Sequence, residues 1–199
     1  MDFNNLEEGV GSTDRLVIPN WKKYHRRLEQ NFKKKALRPP KEPPHYSLIN
    51  EMRMTREVFE DIKNQIGSIP AESGGILISK SKDYTITTFV FDIASAKHRT
   101  VYQPHTKFLN SVLKGRNDEF MGIAHSHQRG ARQLTSQDRR AAWSNLTSPG
   151  NPHLNAYLMP LIQTIPDTGR FEIIPYIVTC HAKGMGEVIV KRVELKILK

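Results

Sequence analysis

The chain has 199 residues, with 30 Lys and Arg against 20 Asp and Glu, a formal net charge of +10 and a sequence pI of about 9.8. That length suits one folded domain with an appendage, and a hydrophobic content of 38% supports a core if part of the chain lies outside it. The lone cysteine, Cys180, excludes an internal disulfide and a thiolate metal cluster, no stretch approaches the roughly 18 apolar residues of a membrane span, and the acidic opening MDFNNLEEGV lacks a secretory pattern, so a cytoplasmic protein without a membrane span is expected.

The charge is unevenly placed. The first twenty residues carry a net −3, whereas Lys22 to Glu42 hold nine Lys and Arg against two acids. In that stretch Trp21, Tyr24, Leu28, Phe32 and Ala36 recur at steps of three or four, which predicts a basic amphipathic helix. Packing on a protein surface and binding nucleic acid both suit such a helix. Pro39-Pro40-Lys41-Glu42-Pro43-Pro44 cannot continue it, because proline lacks a backbone donor and fixes φ. The chain therefore divides into an N-terminal extension with its linker, residues 1–44, and a folded domain, residues 45–199.

Past the linker, Thr55 can cap a helix that presents Val58, Ile62 and Ile66 on one side and ends near Gly67. Gly74 to Ser79 reads as a strand, and Tyr84 to Ile93 as its hairpin partner, with Tyr84, Ile86, Thr88 and Val90 on one face. Thr106 to Leu113 suits a helix, Phe120 to His125 a short strand and Thr135 to Leu146 a helix. Three strand-like runs follow, Leu154–Ile162, Phe171–Thr179 and Glu187–Leu198. The pattern is mixed α/β (α+β), with a sizeable sheet. The segments Tyr102–Asn117 and Thr147–Asn155 interrupt it and are candidate substrate-facing loops. Cys180 and His181 are adjacent on a predicted strand and point to opposite faces, which excludes a nucleophile–base pair and leaves Cys180 to the core.

The most informative stretch runs from Met121 to Asp138. Extended backbone through His125-Ser126-His127 puts both imidazoles on one face and Ser126 on the other. With Thr135 as N-cap, Asp138 lies three residues into the next helix, and a turn through Gly130 can bring its carboxylate back to the imidazoles. Two neutral imidazoles and one carboxylate leave a fourth tetrahedral position open, as in a hydrolytic zinc site. Taken singly, His-x-His is a weak signal, Asp138 suits any helix N-terminus, Thr135 is an ordinary cap, and Glu72 is a loop charge.

Taken together, these residues resemble the JAB/MPN (JAMM) metallopeptidase family. Glu72 precedes Ser73-Gly74-Gly75-Ile76-Leu77, as in the family's Glu motif, and His125-Ser126-His127 is followed by seven residues, 128–134, then by Thr135 and Asp138. Thr135 stands where the family usually has Ser, and Gln128 where a Pro commonly follows the second His. The resemblance covers roughly residues 50–198. It implies a JAB/MPN-like (cytidine-deaminase-like) mixed sheet flanked by helices, and one zinc ion (Zn2+) held by His125, His127 and Asp138. It further implies Glu72 as general base and then general acid, and Thr135 as a hydroxyl donor to the oxyanion. The implied reaction is hydrolysis of the amide after the C-terminal tail of a ubiquitin or ubiquitin-like protein, as deconjugation or maturation. The Glu-Ser-Gly-Gly and His-Ser-His wording is nearer to the bacterial members encoded beside E1-like and E2-like proteins, some in anti-phage defence operons. Two alternatives are a nucleic-acid or assembly-binding protein with a vestigial metal site, and a peptidase that matures sulfur-carrier proteins.

Overall fold

The computed structural model describes residues 50–69, 72–95, 102–165, 170–180 and 188–199; the predicted basic helix and the proline-rich linker lie outside them. The first described element is a strand absent from the sequence expectation, β1 (Glu51–Thr55), in which Met52 and Met54 are buried and alternate with half-buried neighbours. It pairs in parallel with two strands distant in sequence, β3 (Thr85–Ile86) and β11 (Glu194–Leu198), as a three-stranded sheet. This pairing brings the two ends of the described domain together.

Thr55 caps the next helix as expected, its Oγ1 accepting the Val58 N–H at 3.3 Å. Helix α1 (Arg56–Ile62) continues into one π-helical turn, Lys63–Gly67, and buries Val58, Ile62 and Ile66. The larger sheet has eight strands along the path β10 (Ile189–Arg192), β9 (Tyr176–Thr179), β6 (Tyr157–Leu158), β5 (Phe120–His127), β2 (Gly74–Ile78) and β4 (Thr88–Phe91), with β7 (Leu161–Ile165) on β5 and β8 (Arg170–Ile174) on β7. Its centre is β2 (Gly74–Ile78) and β5 (Phe120–His127), both buried at every position and mutually antiparallel. Strand β5 is longer than predicted and carries both histidines. The other α-helices are α2 (Thr106–Val112) and α3 (Ser136–Thr147).

Four of the predicted strand runs are divided. Tyr84–Ile93 splits at Thr87: β3 joins β1, whereas β4 (Thr88–Phe91) forms the expected hairpin with β2. The single face expected for Tyr84, Ile86, Thr88 and Val90 is therefore lost; Ile86 and Phe89 are the apolar side chains this run buries. Leu154–Ile162 becomes β6 (Tyr157–Leu158) and β7 (Leu161–Ile165) on either side of Pro160, and Phe171–Thr179 becomes β8 (Arg170–Ile174) and β9 (Tyr176–Thr179) on either side of Pro175. Proline donates no ladder hydrogen bond and so ends each strand. The described part of the last run divides at Val193 into β10 (Ile189–Arg192) and β11. Cys180 is buried in the core, as expected. No helix among the described residues is long and apolar enough to cross a membrane.

At Gly122 the central strand passes the backbone of Leu158 so closely that a Cβ would lie 1.8 Å from the Leu158 carbonyl oxygen. That contact is where β5 and β6 pair, and neither backbone can yield without breaking the ladder. Gly122→Ala is expected to cost at least about 3 kcal/mol, at the upper end for overpacking, measured as a lowered urea midpoint. An unchanged midpoint would show that the two strands do not approach this closely.

Candidate metal centre

The extended backbone at the end of β5 does what the spacing predicts. The His125 and His127 rings lie on one side, their centroids 4.8 Å apart, and Ser126 turns to the other side, where its Oγ accepts the Ser73 N–H at 3.0 Å. The Ser126 N–H in turn donates to the Ser73 carbonyl at 2.8 Å. With Gly74 opposite His125 in the antiparallel register, this bridge brings the residue before Ser73, Glu72, to the histidine end of the strand.

The third group arrives from α3. Thr135 and Asp138 form a reciprocal capping box: Thr135 Oγ1 accepts the Asp138 N–H at 3.2 Å, and Asp138 Oδ2 accepts the Thr135 N–H at 2.6 Å. The Thr135 hydroxyl also donates to Asp138 Oδ2 at 2.7 Å, so its proton holds the carboxylate. The loop between the histidines and this cap turns at Gly130, whose φ of +89° is unfavourable for a residue with a side chain. Buried Gln163 fixes the turn, accepting the Gly130 N–H at 3.0 Å and donating to the Ala131 carbonyl at 2.9 Å. On the outer side, Arg132 makes a two-point ion pair with Glu172, both contacts 2.6 Å.

These constraints bring His125, His127 and Asp138 together. His125 Nε2 is 3.2 Å from Asp138 Oδ1, His127 Nε2 is 3.3 Å from Oδ2, and the two Nε2 atoms are 3.0 Å apart. The edges of a tetrahedron with zinc bonds of about 2.0–2.1 Å measure about 3.3 Å, so the donor spacing fits one zinc ion. Both rings are buried, at 3% and 4% exposure, and their Nδ1 atoms have no hydrogen-bond partner among the described residues. The polar side-chain contacts of both rings among the described residues run through the Nε2 atoms that face Asp138.

Burial disfavours charge on both sides of this cluster, but the contacts outweigh it. The Asp138 carboxyl is held far below the usual carboxylate range by hydrogen bonds with His125, His127 and Thr135. The His127 pKa is raised, against the effect of burial, by its hydrogen bond to Asp138 and by the charges of Asp138 and Glu72. The carboxylate charge of Asp138 thus sits directly against the two imidazoles, and the three donor groups lie close enough together to hold one metal ion.

Glu72, Tyr102, Thr135 and Gln137 line the same cleft as the three candidate ligands. All five predicted site residues are therefore gathered in one place. Glu72 is half-buried, and its Oε2 accepts the Tyr102 N–H at 3.0 Å. Tyr102 also stacks on His125, with ring centroids 6.2 Å apart and an 18° interplanar angle. Of the two candidate loops, Tyr102–Asn117 thus contributes to the cleft. Segment Thr147–Asn155 instead turns partly inward, where Asn151 is fully buried and donates from Nδ2 to the Asn145 carbonyl at 3.1 Å.

Sequence reasoning missed Tyr102, Gln163 and Asp92, the last a buried carboxylate that accepts the Tyr102 hydroxyl at 3.3 Å. Gln163 was detectable as the amide within the apolar run Leu161-Ile162-Gln163, and Asp92 as the carboxylate ending Thr88-Phe-Val-Phe. Tyr102 carried no such signal.

No known family's sequence profile matches the chain, and no curated protein matches it. Among solved structures, the chain is similar to the solution structure of a protein from Desulfitobacterium hafniense, a structural-genomics target. The two share 11% identity with a TM-score of 0.51, over 74% of this chain and 92% of that one. At that identity the likeness is one of fold alone.

Proposed function

We propose that this chain is a zinc-dependent peptidase of the JAB/MPN type that hydrolyses the amide bond after the C-terminal tail of a ubiquitin-like protein, in deconjugation or maturation. The observation that carries the reading is the convergence of His125 Nε2, His127 Nε2 and Asp138 within one cleft that also holds Glu72. The motif spacing, Glu72, His125, His127, Thr135 and Asp138 in the family's order, supports the same reading, and the mixed sheet with its helices is compatible with a JAB/MPN-like fold.

In this reading His125, His127 and Asp138 hold the ion and Glu72 moves the proton. When bound, zinc supplies Lewis-acid polarisation of the scissile carbonyl and lowers the pKa of water. Glu72 faces the cleft with one oxygen fixed by the Tyr102 N–H, which leaves Oε1 to take a proton from water and return it to the leaving amine. Thr135 has two tasks in conflict. Its hydroxyl proton is donated to Asp138, so support of an oxyanion requires the hydroxyl to turn. Buried imidazoles and the packed ring of Tyr102 restrict the cleft beside the ligands, which suits an extended tail ending in small residues. E1-like and E2-like proteins of the same pathway are the partners this reading implies, in the cytoplasm.

Purified full-length protein is to be mixed with ubiquitin-like fusions and isopeptide-linked conjugates, and the products identified by mass spectrometry. The expected result is cleavage after the tail that a chelator abolishes and zinc restores. Failure to cleave any such substrate with one zinc bound per chain would overturn the peptidase reading.

A further inference from the structure

We propose that Asp92 is the positioning residue for the proton-carrying carboxylate: from the end of β4 it clamps residues 102–105, and that segment holds Glu72. The proposal rests on the assignment of Glu72 above. Asp92 is fully buried, and its Oδ2 accepts both the Tyr102 hydroxyl at 3.3 Å and the His105 N–H at 2.6 Å. The clamp is itself anchored to the strand that follows Glu72, because the Asp92 N–H donates to the Gly74 carbonyl at 2.9 Å.

The Tyr102 end of the clamped segment reaches the cleft. The Tyr102 ring lies across Gly74, where a Cβ would come within 2.6 Å of it, and it stacks on His125. The Tyr102 N–H meets Glu72 Oε2 at 3.0 Å. A buried carboxylate is expensive, and Asp92 Oδ1 has no hydrogen-bond partner among the described residues. An apolar residue would suit the position better if filling space were its only task. Convergence of two donors on one oxygen instead fixes the height of Tyr102 over β2, and with it the direction from which Glu72 is held.

The test compares Asp92→Ala with Asp92→Asn, which retains one carbonyl oxygen for the same two donors. Amide hydrogen exchange is measured by NMR at Tyr102, with Ile76 and Ile123 as references in the central strands. Zinc content, kcat and KM are measured on the same samples. Asp92→Ala is expected to speed exchange at Tyr102 by about tenfold or more while the reference amides stay protected. It should lower kcat by about 10–100-fold, the usual cost of losing support behind a site, with zinc content and KM unchanged. Asp92→Asn should restore Tyr102 protection and most of kcat.

Unchanged exchange at Tyr102 in Asp92→Ala would overturn the proposal, as would a loss of activity that follows zinc loss or KM. If Asp92→Ala does not fold, Tyr102→Phe removes one of the two donors and carries the same exchange test. Faster exchange at residue 102 would support the clamp, and unchanged exchange would overturn it. The exchange measurement needs no substrate, so an inactive wild-type protein would overturn the peptidase reading and leave the clamp to be decided by exchange.

Discussion

Glu72→Gln is expected to abolish most turnover while leaving the metal in place, with kcat falling by about 10²–10⁴, the usual contribution of a positioned general acid–base. Glutamine matches glutamate in size and keeps a carbonyl oxygen for the Tyr102 N–H, the bond that holds Oε2 at 3.0 Å. What it lacks is the basic lone pair and the charge. Glu72 is also outside the group whose donor atoms lie mutually within 4.8 Å, which comprises His125, His127 and Asp138. Elemental analysis should therefore give the wild-type zinc content. Full activity in this variant would remove Glu72 from the proton path, and loss of zinc would make it a ligand instead.

His125→Ala should have the opposite signature, with zinc lost along with activity. The imidazole supplies one of three protein donors from a strand that cannot shift, since β5 is buried along its whole length between β2 on one side and β6 and β7 on the other. Loss of groups that merely support ligands costs about 10–100-fold in metal affinity, and loss of a ligand should exceed that. Thermal unfolding with and without zinc gives a reading independent of substrate. At a thousandfold excess over Kd, binding adds about 4 kcal/mol to wild-type stability, worth about 8–16 °C in Tm for a domain of this size. Neither His125→Ala nor Asp138→Asn should show that shift. The asparagine variant keeps an oxygen for the capping box, so it separates the ligand charge from the helix start. Undiminished zinc content in His125→Ala would refute the ligand assignment.

The legible parts of the fold were those specified by neighbours in sequence. Thr55 and Thr135 announced their helices because an N-cap bonds a backbone N–H only three residues on, and both caps form. Alternation at His125-Ser126-His127 placed two imidazoles together because a strand repeats every two residues. Gly130 marked the return turn because it tolerates positive φ. Strand β1 was missed: five residues with two buried methionines are a weak local signal, and its partner β11 lies at the far end of the domain. The split at Thr87 was missed for a related reason, since β3 and β4 continue one pattern but are claimed by different sheets.

By itself, then, the sequence determined the identity of the candidate ligands and the carboxylate beside them, the helix that delivers Asp138, and the mixed character of the fold. These follow from interactions spanning a few residues. Only the tertiary structure decided how closely those groups approach and what holds them. The 3.0–3.3 Å contacts among His125, His127 and Asp138 depend on a loop pinned by Gln163 from β7. The orientation of Glu72 depends on Tyr102, and through it on Asp92 at the end of β4. Such contacts join residues tens of positions apart, and the hydrogen bonds that select them exist only once the sheet has brought the strands together.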